Sequence, residues 1–452
     1  MPSLAKSLKS LWMVSGIVAT FVCLPTLGYA VYAEETPPQA HYTQQTRQKL
    51  TIQRAILMAL ESNAALKAGQ YEVHAIEAAG RQLSVAPNPE LSVEFEEFAG
   101  SGAYSGTDAM QTTLTLSQRL ELGNKRGHRQ QIASRHNNAA AIQQELRTAQ
   151  VIRQTRQLYR EALVARKQLR QAEKNVTQCL TLINSIEESI RAGKKAALEA
   201  QRIMPLQAQA QLRLKAAQTT LKARRQQLCS LWQGREEEMG SLDGSLTDVQ
   251  RLPDLAEFRD RIDQTATVRL ARQNQHLEQA LFELEQANRF QDVTLSLGVK
   301  HDSGTEDQAL VAGFSVPLPL FDRNRGAIAA AQHRSSQARQ TLLETRQVIW
   351  QQLVENHRLT TIAHQEITTF EQQLLPAAQS VFDTVTFGYQ QGKYSVLDVL
   401  DAQGRLIETE DRYLSALADY HRSLTDLEAL FDFDSTATTA GLSDSLADSD
   451  KE

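Results

Sequence analysis

The sequence predicts a mainly α-helical chain with a small β part, in which long helical hairpins are duplicated and each copy carries a pair of strands. Three observations carry this. Ala, Gln, Leu, Arg and Glu dominate while aromatics make up only 6% of 452 residues, the composition of long helices and coiled coils. Landmarks recur at one offset: Gly193 with Gly392, Lys194 with Lys393, Leu198 with Leu397 and Glu199 with Asp398, and further up Arg126-Gly127 with Arg325-Gly326. A fixed offset is the mark of an internal repeat. Finally, each half holds two short segments whose apolar residues alternate with polar ones, the period of a strand with one wet face.

Charge and leader narrow the class. The net charge is −5, so nothing points to nucleic acid. Lys6 and Lys9 precede an apolar run from Leu11 to Leu24, and residues 1–33 read as an export signal cut after Val31-Tyr32-Ala33, with Gly28-Tyr29-Ala30 as second choice. An uncleaved anchor is the competing reading, and the run is short for a span of about 20 residues. Lipidation at Cys23 lacks the small residue such a site needs in Thr20-Phe21-Val22. Export makes cysteines disulfide candidates. Cys179 lies 14 residues before Gly193 and Cys229 lies 36 after it, so in a hairpin turning at Gly193 they are out of register and no bridge is expected between them.

Residues 34–50 are expected to be irregular. The first repeat spans 51–233. Ile52, Ala55, Ile56, Ala59 and Leu60 step at three and four residues, predicting a helix from Thr51 to Ala86, ended by Pro87 and Pro89. Strands follow over 91–117: Leu91, Val93 and Phe95, a Gly/Ser-rich loop, then Met110, Thr112, Leu114 and Leu116. A helix is predicted from Arg129 to Ala192 and a return helix from Leu198 to Leu231, with a linker over 234–256. The second repeat, 257–432, has its strand pair at 293–316, on Val293, Leu295, Leu297, Val299 and Leu310, Ala312, Phe314, Val316. Its long helix is expected from Ala327 to Phe387, with Pro376 as a kink, and its return helix from Ser395 to Leu430. Ser395 and Asp398 read as a capping box with its carboxylate on the helix N-terminus. Residues 433–452 read as a disordered acidic tail.

Four strands cannot close a barrel, and open edges are not tolerated in lipid. Export and strands near the 9–11 residues needed to span a bilayer favour a barrel pooled from several chains. A soluble four-stranded sheet capping a helical rod is the alternative.

Ser315-Val316-Pro317-Leu318-Pro319-Leu320-Phe321-Asp322-Arg323-Asn324-Arg325-Gly326, and Tyr389 through Gln403, resemble the TolC family of outer-membrane efflux ducts. The resemblance covers about residues 50–432. Leu116 through Arg126 is similar to the first-half segment of its cobalt–zinc–cadmium branch. The resemblance implies a homotrimer whose twelve strands form an outer-membrane barrel and whose twelve helices form a periplasmic tunnel. It also implies a periplasmic adaptor and an inner-membrane pump of the proton-driven RND type as partners, outer-membrane lipid around the barrel, no cofactor, and passage of substrates, including heavy-metal cations, to the outside. A soluble periplasmic coiled-coil adaptor or scaffold is the competing function. An adaptor would carry a single hairpin rather than two strand-pair-plus-hairpin units.

By that resemblance Asp398 and Asp401, one helical turn apart, line the periplasmic aperture, although carboxylates in a first turn are favoured in any helix. Tyr389 and Glu199 correspond to residues that hold the hairpins closed. Tyr394 stands where the best-known members carry an arginine, so a salt bridge from that position is impossible here. Gly193, Gly392, Lys393 and Tyr394 would form the tip that meets the adaptor, and a plain helix cap and turn asks for glycine equally. Glu94, Glu96 and Lys300 fall on polar strand faces and would line the barrel lumen. The ten histidines show no ligand cluster, so no metal site is expected. No phosphate loop or nucleophile constellation marks an enzyme.

Overall fold

A computed structural model describes residues 49–193, 196, 198–249 and 251–431. The export signal, nearly all of the irregular segment and the acidic tail lie outside the described residues. Two helices come first among the described residues, α1 (Ile52–Ser62) and α2 (Ala64–Leu83). The single helix expected here is broken at Asn63. Its side chain accepts the Ala65 amide at 2.9 Å as the N-cap of α2, and donates to the Leu231 carbonyl at 3.0 Å. Leu50, expected to be irregular, forms a parallel bridge with Leu242 of the linker. Tyr159 secures it, its hydroxyl donating to the Leu50 carbonyl at 2.6 Å.

Strands β1 (Glu90–Glu96), β2 (Gln111–Leu120), β3 (Val293–Asp302) and β4 (Gln308–Ser315) form one antiparallel sheet in sequence order. The two strand pairs, almost 200 residues apart in sequence, join through β2 and β3, where Leu114 faces Val299 and Leu116 faces Leu297. β1 and β4 are its open edges.

From β2 the chain enters α3 (Lys125–Arg191), 67 residues and so about 100 Å long, and returns through α4 (Leu198–Ser230), which carries Pro205. The linker gives way to a short helix α5 (Leu255–Arg259) and to α6 (Ala266–Ala287), which leads to β3. After β4 come α7 (Arg325–Thr369), a π-helical turn (Phe370–Leu374), α8 (Leu375–Gln390) and the return helix α9 (Val396–Phe431). The kink expected at Pro376 takes the form of this wide turn, in which the Leu375 amide reaches back five residues to the Phe370 carbonyl. Proline lacks an amide hydrogen and its ring collides with the carbonyl four residues back. A widened turn relieves both.

Both long columns start from an asparagine in the left-handed region, Asn124 and Asn324, each with φ 56°. These caps are 200 residues apart, one more than the glycine landmarks, so Arg126-Gly127 and Arg325-Gly326 are not structural equivalents. A Cβ on Gly127 would lie 2.5 Å from the Asn124 side chain, whereas one on Gly326 would meet open space.

The largest core lies where α1, the C-terminal end of α4, the linker and α9 meet α3, around Tyr159, Leu228, Trp232, Leu242, Leu417 and Tyr420. A second, smaller core joins the hairpin tips: Leu182, Ile186, Ile203, Tyr389, Val396 and Val399. Cys179 and Cys229 are both buried and are not bridged to each other; Cys179 accepts from the Gln403 amide at 3.4 Å, and the Cys229 thiol lies 3.5 Å from Met239 Sδ.

Candidate functional site

The tip of the second hairpin is built by its glycines. The Gly392 amide donates to the Tyr389 carbonyl (3.0 Å) and the Lys393 amide to the Gly388 carbonyl (2.8 Å), with Gly392 at φ 73°. This pair of bonds caps the orphan carbonyls of α8 and requires a residue free of the Cβ penalty at Gly392. Gly193 does the same for α3 at φ 71°, its amide donating to the Ile190 carbonyl at 2.9 Å. Gly388 has another reason for lacking a side chain, because the Tyr394 ring lies on it and an added Cβ would sit 2.2 Å from the ring. Phe387 and Leu397 stand exposed beside this turn.

Helix α9 then begins on the expected capping box. The Asp398 amide donates to the Ser395 hydroxyl at 3.3 Å, and the Asp398 carboxylate accepts both the Ser395 hydroxyl (2.7 Å) and the Ser395 amide (2.8 Å). Those two donors hold the Asp398 carboxyl below its ordinary range. Asp401 is exposed one turn on and accepts from Arg405 Nε at 3.0 Å. Arg405 did not stand out in the sequence reading. An acid followed four residues later by an arginine was the signal that could have found it.

The two hairpins are joined at the tip by the Tyr389 hydroxyl, which donates to Glu199 Oε2 at 3.0 Å. Burial first, and then the carboxylate it donates to, push the Tyr389 phenol well above its ordinary value. Higher up, Tyr413 on α9 donates at 2.6 Å to Glu371 of the π turn, while Lys167 of α3 lies over the Tyr413 ring, 4.8 Å from its centroid. Three segments therefore converge where the π turn departs from ideal helix. The sequence reading found none of these partners.

The sheet separates its side chains by face. Val93, Leu114, Val299 and Leu310 form one cross-strand row, and Leu91, Leu116, Leu297 and Ala312 another on the same face. All but Ala312 are large apolar residues that stand exposed. The opposite face carries Glu94, Thr113 and Lys300 in one row, and Glu96 reaches Lys300 at 3.8 Å. No described helix is long and apolar enough to cross a membrane. An exposed apolar sheet face with two open edges, carried by two 60-odd-residue helical columns, is the geometry that a membrane barrel pooled from several copies requires.

A family model described as outer membrane efflux protein matches residues 55–234 and 260–431, and the chain belongs to that family. Among curated relatives it is 26% identical to the cobalt-zinc-cadmium resistance protein CzcC of Cupriavidus metallidurans, over 94% of this chain and 99% of that protein. It is also 26% identical to the nickel and cobalt resistance protein CnrC of the same organism, over 72% of this chain and 76% of that one. Among solved structures its fold is similar to that of CusC (TM-score 0.74, 18% identity, 85% of this chain and 93% of that chain). The outer membrane protein VceC of Vibrio cholerae is a further match (TM-score 0.72, 17% identity, 84% of this chain and 95% of that chain). Family and fold together favour the efflux channel over the adaptor reading.

Proposed function

We propose that three copies of this chain form the exit duct of a tripartite efflux system that passes divalent heavy-metal cations. The observation that carries the proposal is the four-stranded sheet with an exposed apolar face and two open edges. In lipid every backbone group must be paired, so β4 of one copy must find β1 of another. Because all four strands are antiparallel, the joint continues the alternation, and three copies close a barrel of twelve. Glu94, Glu96 and Lys300 then face the lumen, and the helical columns extend into the periplasm as a tunnel. The repeats at 51–233 and 257–432 each contribute one strand pair and one hairpin, joined by the linker.

At the far end Asp398 and Asp401 line the aperture, and Tyr389 and Glu199 act as its gate contact. Gly193, Gly392, Lys393 and Tyr394, with exposed Phe387 and Leu397 beside them, offer the surface on which a periplasmic adaptor docks, linking the duct to an inner-membrane RND pump. Metal cations are favoured as cargo by the resistance named for CzcC and CnrC.

Fractionation, detergent extraction and mass determination test the assembly. An outer-membrane species of three chains is expected, and a soluble single chain would refute it. The cargo is tested by deletion. Loss of cobalt, zinc, cadmium or nickel tolerance is expected, and unchanged tolerance to all four would refute a metal cargo.

A further inference from the structure

The exposed face of α9 does not end with the two aperture carboxylates. Arg405 follows Asp401 at one turn and binds it at 3.0 Å, and Glu408 pairs with Arg412 in the same way at 2.6 Å. With Asp398 these residues fall on one stripe at three- and four-residue steps, while Val399, Ala402 and Leu406 on the other side of the helix are buried. Upward from the tip the stripe thus carries two acids, then a base, an acid and a base.

We propose that Arg405 is a specificity-determining residue of the duct, a fixed cation that halves the net charge of the aperture and keeps its carboxylates from holding passing cations. The inference rests on the aperture reading above. An exposed pair of this kind adds little to helix stability, so its effect is to be sought in the pore. Four residues of helix rise place Arg405 about 6 Å above Asp401, inside the roughly 8 Å over which physiological salt screens a charge. In a trimer, six carboxylates meet three guanidinium groups. An ion at the carboxylate level therefore feels a net charge of −3 rather than −6. Conduction needs binding strong enough to admit an ion and weak enough to release it. A bare ring of six carboxylates meets the first need at the expense of the second, and more so for a divalent ion.

The test uses the full-length protein in planar bilayers under a KCl gradient, with the reversal potential read as a cation-to-anion permeability ratio. Arg405→Gln is expected to raise the ratio about two- to fivefold. Arg405→Lys, which keeps the charge, is expected to leave it at the wild-type value, and Asp398→Asn with Asp401→Asn to lower it. An unchanged ratio in Arg405→Gln, with a lowered ratio in the double asparagine variant, overturns the inference and leaves the aperture standing. An unchanged ratio in both removes the aperture reading and the role of Arg405 with it.

Discussion

The Tyr389 hydroxyl and the Glu199 carboxylate, 190 residues apart in sequence, meet at 3.0 Å and join the two hairpins of one chain. A hydrogen bond to a charged acceptor contributes about 1.5–3 kcal/mol, which corresponds to tenfold or more in the balance between joined and separated hairpins. Tyr389→Phe removes the donor and keeps the ring in the tip core. Single-channel recordings are expected to show a higher mean conductance for this variant, and an unchanged value would mean that the bond does not restrain the aperture.

Gly392 holds a left-handed conformation that costs an ordinary residue about 1–2 kcal/mol. Gly392→Ala is therefore expected to loosen the last turn of α8. Hydrogen exchange at the Gly392 and Lys393 amides, which cap that turn, should quicken by about tenfold. The same exchange measured in the core around Tyr159 should not change.

The capping box makes the start of α9 sensitive to acid. Asp398 has a folded-state value below the ordinary one because Ser395 donates to it twice. Its contribution to stability is therefore complete above the unfolded value of about 4 and is lost as pH falls through the lower folded value. Amide protection at the first turn of α9 is expected to decline below about pH 4. In Asp398→Asn that dependence should vanish, with protection already weaker at neutral pH.

Neighbouring positions on β3 should answer oppositely to the same change. Leu297 stands on the apolar face and is 62% exposed. An arginine there, facing lipid, costs about 2–4 kcal/mol per chain near the bilayer centre. Ser296 points to the other face. Leu297→Arg is expected to reduce assembled protein in outer-membrane fractions, and Ser296→Arg to leave the amount near wild type while altering conductance. Equal loss in both would contradict the assignment of faces.

Much of this architecture could be read in the sequence because its causes are local. Alternation gave the strands, unbroken helical periodicity the two columns, and Gly193, Gly392 and the Ser395–Asp398 box the turns and the restart. What stayed hidden depends on distant partners. The apolar steps of α1 run past Asn63, and only its bond to the Leu231 carbonyl, 168 residues away, shows why the helix breaks there. Leu50 lost its irregular assignment to a linker residue across the core. Pro376 announced a disturbance, but not that Glu371 would reach Tyr413 from a widened turn. Tyr389 and Glu199 came from resemblance, and their contact needed both hairpins in place.

The π turn at Phe370–Leu374 has no counterpart in α3, which runs as one α-helix over its full length. The widened turn occurs in the second column only, although that column runs one residue fewer from its asparagine cap to its tip glycine. Duplication supplied two similar halves, yet at this height they are mechanically different members, a stiff stay beside a jointed one. In the proposed ring of three, rigid and jointed columns alternate. The wall there has threefold and not sixfold symmetry, and any change of bore that uses the joints moves every second hairpin while its neighbours stand as fixed posts.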